Sequence, residues 1–201
     1  MMASVNMTSQ KFEKWRRALA KELIAAYTHY HIWEQLWPSE EHVSVLNQFR
    51  VFFHFTTAAH SQLFFLHVAK ITEHRKDSIN LWRWLDEIEK DPSSASRLSV
   101  EIKELREQLQ TYDALINRIK THRHKRIAHV DERHSWPDSN IWQDNIVTIG
   151  EAKKLLGALE SGFNKVSAAY DGQIWSLRSI GLEDTSSLLK KLLVKSPTDH
   201  L

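Results

Sequence analysis

The sequence contains no cysteine, and its 201 residues include only five glycines and four prolines. Without cysteine the chain can form no disulfide, zinc-thiolate site, iron–sulfur cluster or thiol nucleophile, and nothing points to an oxidising compartment. It also contains no apolar run long enough for a signal-peptide core or a transmembrane helix. We therefore expect a cytoplasmic protein that does not enter the membrane.

Glycine is absent from the first 149 residues, because all five glycines lie between Gly150 and Gly181. Sheet proteins need repeated turns that use glycine, asparagine or aspartate at positive φ, so this distribution favours long helices. It also excludes the GxGxxG and GxxxxGK loops that hold nucleotide phosphates.

The overall charge is nearly balanced. Lysine and arginine total 27 against 25 aspartates and glutamates, which leaves a formal charge of +2. This charge is too small to indicate nucleic-acid binding, so any basic site must be local. The hydrophobic fraction of 42% and charged fraction of 26% are typical of one soluble domain.

The apolar periodicity predicts an all-α helical bundle of about five main helices. They are expected at Ser9 to about Trp37, Glu40 to about Arg75, about Ser78 to Glu89, a fourth spanning Leu98 to Ile119, and Thr148 to about Tyr170. The fourth has the most regular stripe: Leu98, Ile102, Leu105, Leu109, Tyr112, Ile116 and Ile119.

Particular residues suggest where these helices begin, bend and end. We expect Pro38 to stop the first helix, Ser78 to cap the third and Pro92 to lie beyond its end. The second helix is expected to be the most buried, with a bend at Thr56 and Thr57.

The expected organisation is a polar tail over residues 1–8, a bundle over 9–172 and an amphipathic tail over 173–201. Thr148 and Glu151 have the spacing of a capping box at the start of the fifth helix. The apolar stripes exceed what five helices can hide, so we expect a twofold dimer that buries the fourth helix or the tail. The tail itself can dock within its own chain or on a second subunit.

The end of the fourth helix is the most basic part of the chain. From residue 118 to residue 133 there are six lysines and arginines, two acidic residues and three histidines. The stripe places Arg123 and Arg126 at positions that face the core, where an unpaired guanidinium is costly. These arginines can snorkel, pair with acids of a neighbouring helix or line a cleft for an anion, or they can simply favour the dipole at a helix end.

Helical spacing groups His122, Arg126 and His129 on one side, whereas Arg123 lies roughly 120 degrees from His129 on an ideal wheel. An imidazole that titrates near neutrality, beside a guanidinium that stays charged, suits phosphodiester chemistry without a metal. The spacing predicts neither a metal site nor a cofactor. His60, His67 and His74 repeat every seven residues, about 10 Å apart, which is too far for one ion. We expect these histidines, and most of the eight tryptophans, to lie in the interior or at interfaces.

The segment Arg123-His124-Lys125-Arg126-Ile127-Ala128-His129-Val130-Asp131 resembles a family signature. It is similar to the arginine, polar residue and later histidine of the HEPN superfamily (higher eukaryotes and prokaryotes nucleotide-binding). Together with the upstream block from His67 to Ile88, it resembles the abortive-infection U-type branch. In that block, Thr72-Glu73 stands where an aspartate pair is more usual.

The resemblance implies a dimer in which two motifs face one cleft and, in active members, metal-independent RNA cleavage that leaves 2′,3′-cyclic phosphate ends. Arg123 would then be the phosphate clamp and His129 the acid and base, with His124 at the polar position. Asp131 stands where some toxin members have a tyrosine that is modified by a partner enzyme, so that regulation is not expected here.

The remaining basic residues are expected to support this site. His124, Arg126, His122 and Asp131 would assist the reaction, and RNA would contact Lys120, Lys125, Arg118, Arg133 and Trp136. The expected partners are RNA, a second copy of the chain, and an antitoxin or other regulatory protein in a toxin–antitoxin or phage-defence system. The alternative is a HEPN module that binds RNA or a protein without catalysis.

Overall fold

A computed structural model of the chain describes residues 9–37, 39–40, 42–124, 145–178 and 183–194. These residues form eight helices and no strand, which confirms the all-α prediction. The helices are α1 (Ser9–Gln35), α2 (Val43–Gln48), α3 (Arg50–Thr72), α4 (Leu81–Glu89), α5 (Pro92–Thr111), α6 (Asp113–His122), α7 (Ile149–Asp171) and α8 (Asp184–Val194).

The main core is built from two long helix pairs. α1 packs along α3 and α5 packs along α7, while α4 and α6 close the sides. Large aromatic side chains such as Trp84, Phe12 and Phe64 are fully buried between them. Burial of that much apolar surface is the dominant force holding the helices together.

The regular stripe of the predicted fourth helix is confirmed, but the helix is longer and interrupted. Pro92 does not follow the end of the third helix; it opens α5, where Asp91 caps the first turn by accepting a hydrogen bond from the Ser94 amide. The helix is interrupted at Tyr112, between α5 and α6. Except for Tyr112, the residues of the stripe are buried.

The predicted second helix is two helices, and the predicted bend at Thr56 and Thr57 is wrong. The break lies at Phe49, whose φ of −116° and ψ of 41° are not helical. Thr56 lies within the continuous α3, where its hydroxyl donates a hydrogen bond to the Phe52 carbonyl. The expectation that this helix is the most buried is wrong, because α7 has the same length as α3 and more buried residues. The buried residues of α3 lie mostly in its C-terminal half, and its first turns are largely exposed.

Asn80, and not Ser78, caps α4. Its side chain accepts a hydrogen bond from the Arg83 amide at 2.9 Å and donates one to the Arg75 carbonyl at 2.8 Å. Asn80 is buried, so a single side chain fixes both the start of α4 and the loop that precedes it.

The predicted capping box of α7 is confirmed. The Thr148 hydroxyl accepts from the Glu151 amide, and the Glu151 carboxylate accepts from the Thr148 amide. At the other end Gly172 has a φ of +80°, a conformation that favours glycine.

The tail docks within its own chain. α8 contributes the buried Leu189 to a second, smaller cluster with Leu36 of the first connection, Val45 and Leu46 of α2, and Phe53 of α3. No described helix is both long and apolar enough to cross a membrane.

Candidate functional site

Arg123 lies just after α6, in a widened π-helical turn over residues 123–124. Its Nη1 donates a hydrogen bond to Oε1 of Glu73, the residue that directly follows α3. Both side chains are only 16% exposed. Of the arrangements open for an arginine at this position, the structure shows pairing with an acid of a neighbouring element. The ion pair therefore joins the ends of α3 and α6.

His122 is part of the core rather than of the surface near Arg123. Its ring is buried and stacks on Phe65 of α3, with the ring centroids 4.9 Å apart. Its Nε2 lies 2.6 Å from the carbonyl oxygen of Asn145, so Nε2 carries the hydrogen. His122 thus fixes α6 against α3 and holds the chain where it returns at residue 145.

A surface cavity of about 390 Å³ opens beside the Arg123–Glu73 pair. Its lining holds three cations and three acids: Lys70, Arg75 and Arg123, and Glu22, Glu73 and Asp77. Two further pairs are formed among them, since Arg75 contacts Asp77 at 2.8 Å and Lys70 contacts Glu22 at 3.5 Å. A phosphate that entered the cavity would therefore compete with carboxylates already in place.

Glu73 has several basic neighbours besides Arg123. His124 is 59% exposed, and its Nε2 lies 3.9 Å from Glu73 Oε1. Burial lowers the pKa of Lys120, while the negative charges of Glu73 and Asp113 oppose that shift. Arg123 and His124 thus lie within 4 Å of one carboxylate, whose charge also reaches Lys120.

Arg118 contacts residues at the start of α7 and not Glu73. Its Nη2 lies 2.5 Å from Glu151 Oε1, and its Nη1 donates to the Ile146 carbonyl. The hydrogen bond from Arg118, followed by that from the Thr148 amide, lowers the pKa of Glu151 to about 2. Arg118 therefore ties α6 to the capped start of α7.

The other candidate residues lie outside the described residues: His129, Arg126, Lys125, Asp131, Arg133 and Trp136. Among the described ones, Arg123 and His124 come together at Glu73, and Lys120 lies within reach of its charge. His122 and Arg118 instead contact structural partners. Sequence reasoning did not identify Glu73 as the partner of Arg123. Its position next to the end of α3, in the block that resembles the family, is the signal that could have indicated it.

A second cavity, of about 410 Å³, lies on the other side of the loop before α4. His74 stacks on Trp82 there at a centroid distance of 4.4 Å, and Arg75 lines both cavities. The loop is thus shared by the two cavities, and the buried cap Asn80 determines its shape.

Histidines also meet between α1 and α3. Nδ1 of His29 lies 2.9 Å from Nδ1 of His60, and Nδ1 of His67 lies 2.7 Å from Oε2 of Glu22. Within the described ranges, no three histidine, aspartate or glutamate side chains are grouped so that they could hold a metal ion. These histidines are interior contacts between two helices.

The comparison with protein families decides the assignment. Residues 9–187 match the HEPN family model described as AbiU2. The chain belongs to this HEPN family. The resemblance found in the motif and in the upstream block is thereby confirmed. No curated protein and no solved structure was found that matches the chain significantly.

Membership in the HEPN AbiU2 family places the chain among proteins of the abortive-infection type. HEPN proteins act as ribonucleases or nucleotide-binding modules, which is the function class indicated for this chain. Arg123 and His124 are the described residues of the segment that resembles the family signature.

Proposed function

We propose that this chain is a metal-independent endoribonuclease of a defence or toxin–antitoxin system. The observation that carries the proposal is the position of Arg123, held at the edge of a surface cavity by Glu73 in a chain that belongs to the HEPN family. A cavity of this size admits a phosphate with its ribose, and a guanidinium is suited to bind a phosphate through two parallel hydrogen bonds.

In the proposed reaction the ribose 2′-oxygen attacks the adjacent phosphorus as the bond to the 5′-oxygen breaks. His129 accepts the 2′-hydroxyl proton and returns a proton to the leaving 5′-oxygen, so that no external reactant is consumed. Arg123 stabilises the charge on the phosphorane. The products are a 2′,3′-cyclic phosphate end and a 5′-hydroxyl end.

Glu73 has a definite part in this scheme as a positioning residue. A phosphate that binds Arg123 must share the guanidinium with Glu73 or displace its carboxylate. The pair therefore keeps Arg123 oriented while the cavity is empty.

The test is incubation of purified chain with mixed RNA in EDTA, with chemical identification of the fragment ends. Wild type is compared with His129→Ala, Arg123→Ala and the control Arg17→Ala, which removes an exposed arginine on α1. We expect cyclic phosphate ends that disappear in the first two variants and persist in the control. Intact RNA with a wild-type chain that is folded would refute the ribonuclease.

The second candidate is a HEPN module that binds RNA or a protein without cleavage. Neutralisation of Arg123 by Glu73 favours it, because a paired arginine attracts phosphate less strongly. It predicts RNA affinity that falls steeply with salt and does not change in His129→Ala.

We also propose that two copies of the chain present their motifs to one cleft and that an antitoxin or regulatory protein controls them. In cells, expression of the wild type should arrest growth and His129→Ala should not. Variants that separate the two copies should lose cleavage while each chain keeps its helical content.

A further inference from the structure

Helix α3 is apolar on two opposite faces. One face carries the core residues Phe64, Phe65 and Val68. The opposite face carries Phe52, Phe55, Ala59, Leu63 and Leu66, which recur at intervals of three and four residues and are here called the α3 seam. Phe52, Phe55 and Leu63 are 60%, 67% and 37% exposed.

The α3 seam carries no charge along about four helical turns, since Thr56 and Gln62, the other residues on this face, are neutral too. An apolar helix face is normally covered, so a helix with two apolar faces is normally covered on both. Surface helices of soluble chains instead place charged residues opposite the core.

The exposed apolar area is of the size that a protein partner would cover. The exposed apolar side chains at this end of α3 are Phe49, Val51, Phe52, Phe55 and Leu63. With ~150–250 Å² for a whole aromatic side chain and somewhat less for valine and leucine, their exposed parts sum to roughly 500 Å². One side of a standard interface is about 800 Å², a little more than half of it apolar. The patch therefore supplies about the apolar part of one such side.

We propose that the occupant is a second copy of this chain, packed α3 against α3 about a twofold axis with the two helices parallel. Phe52, Ala59 and Leu66 are spaced by seven residues, so a parallel pair brings each of them next to its own equivalent. Ala59, in the middle, allows close approach of the two helices.

The exposure gradient selects the parallel direction. Exposure is greatest at Phe52 and Phe55 and smaller at Leu63, while Leu66 is half-buried. A parallel pair places the two most exposed ends against each other, and Val51 and Phe49 lie at that same end. An antiparallel pair would instead place the exposed Phe52 of one copy against the half-buried Leu66 of the other.

The seam stands on its own observations, but it also deepens the proposed function. Glu73 follows Ala59 by 14 residues, about 21 Å along the helix, in each copy. Parallel α3 helices bring the two Arg123–Glu73 pairs to the same end of the assembly, where one cleft can serve both.

Single cysteines test the arrangement cleanly, because the natural chain contains none. We expect Ala59→Cys and Phe52→Cys to form covalent dimers on mild oxidation, since equivalent positions of a parallel pair come within disulfide range. Val100→Cys, at an exposed apolar position on α5, is the matched control and should remain uncrosslinked. A dimer by light scattering with no crosslink at Ala59 overturns the seam, and a crosslink at Ala59 without one at Phe52 overturns the parallel direction.

A charge on the seam gives a second, independent test. Phe55→Glu should convert the dimer to a 23.6 kDa monomer with unchanged circular dichroism, whereas Val100→Glu should leave the dimer intact. A wild-type chain that is monomeric at micromolar concentration overturns the proposal. RNA cleavage is read separately, so a dimer without activity would count against the ribonuclease and not against the seam.

Discussion

The Arg123–Glu73 pair shows how a residue far away in the sequence defines the candidate site. The stripe of the predicted fourth helix indicated that Arg123 faces inward, and family resemblance indicated its role. The partner could not be found from the sequence, because Glu73 is 50 residues earlier and only the packing of α3 on α6 brings it close. At this scale the sequence identified Arg123 and the helix face on which it lies. Its partner Glu73 became apparent only from the fold.

Glu73→Gln should loosen Arg123 and lower both stability and RNA cleavage. Removing one partner leaves a poorly solvated charge, and the expected loss of unfolding free energy is on the order of 1–3 kcal/mol. Urea denaturation measures the first effect and cleavage rates the second. Asp77→Asn, which breaks an exposed pair with Arg75, is the control and should change the midpoint little.

A double-variant cycle separates the pair from its surroundings. Glu73→Gln combined with Arg123→Gln should cost less than the sum of the two single changes, because neither charge is then left alone. Strict additivity of the three unfolding free energies would contradict the coupling.

The histidines between α1 and α3 should make stability depend on pH. Burial, followed by the charges of His60 and His67, lowers the pKa of His29 to about 4 from 6.5, and burial lowers the pKa of His60 as well. The folded state therefore resists protons that the unfolded state accepts. This contribution is complete above pH 6.5 and is lost as the pH falls towards 4.

His29→Phe should flatten the pH dependence of stability between pH 6.5 and 4. Because His29 is partly exposed, the part removed should be about 1–2 kcal/mol. The pKa of the Glu22 carboxyl is lowered, chiefly by its hydrogen bond with His67. Glu22 therefore makes stability sensitive to acid only at a lower pH. Denaturation series at several pH values measure the effect, with exposed His54→Phe as the control. Equal slopes in the two variants would show that His29 is not the group responsible.

At the scale of elements, the boundaries were least accessible from the sequence. The breaks at Phe49 and Tyr112 leave the apolar phase unchanged on both sides, so a periodicity cannot reveal them. Pro92 was assigned to the wrong neighbour because proline is tolerated both after one helix and in the first turn of the next. The capping box of Thr148 and Glu151 was predicted correctly because its spacing is local.

The contact between α5 and α7 depends on a glycine. A Cβ added at Gly162 would overlap the buried side chain of Leu105, whereas a Cβ at Gly157 would meet nothing within 4 Å. Gly162→Ala should therefore destabilise the chain by about 1–3 kcal/mol. Gly157→Ala should stabilise it by up to ~1 kcal/mol through helix propensity.

Thermal unfolding of the two alanine variants beside wild type measures this difference. A melting temperature raised equally in both would contradict the close approach of α7 to Leu105. The pair is well matched because both glycines lie in the interior of one helix.

At the scale of the whole molecule, the sequence predicted the fold class and a surplus of apolar surface, but it placed that surplus elsewhere. Most residues of the stripe of the predicted fourth helix are buried in the core, and α8 packs within its own chain. The exposed apolar side chains concentrate at the N-terminal end of α3. A pattern of apolar residues reveals that a helix has two apolar faces and does not reveal which face the other helices cover.

The proposed dimer makes thermal stability depend on protein concentration. Since association favours the folded chain, a rise of about a hundredfold in concentration should raise the melting temperature by roughly 3–5 °C. Phe55→Glu should melt at one temperature throughout the same range. A wild-type melting temperature that does not move with concentration would contradict an assembly that forms in this range.

The docking of α8 also bears on the order in which the chain folds during its synthesis. Phe53 and Leu189 share one buried cluster, yet they are 136 residues apart, so the ribosome releases the second long after the first. Phe53 directly follows Phe52 of the α3 seam. The buried cluster beside the α3 seam is therefore complete only after α8 has emerged. Glu73 and Arg123 both precede α8 in the sequence, so their ion pair can form before this cluster does.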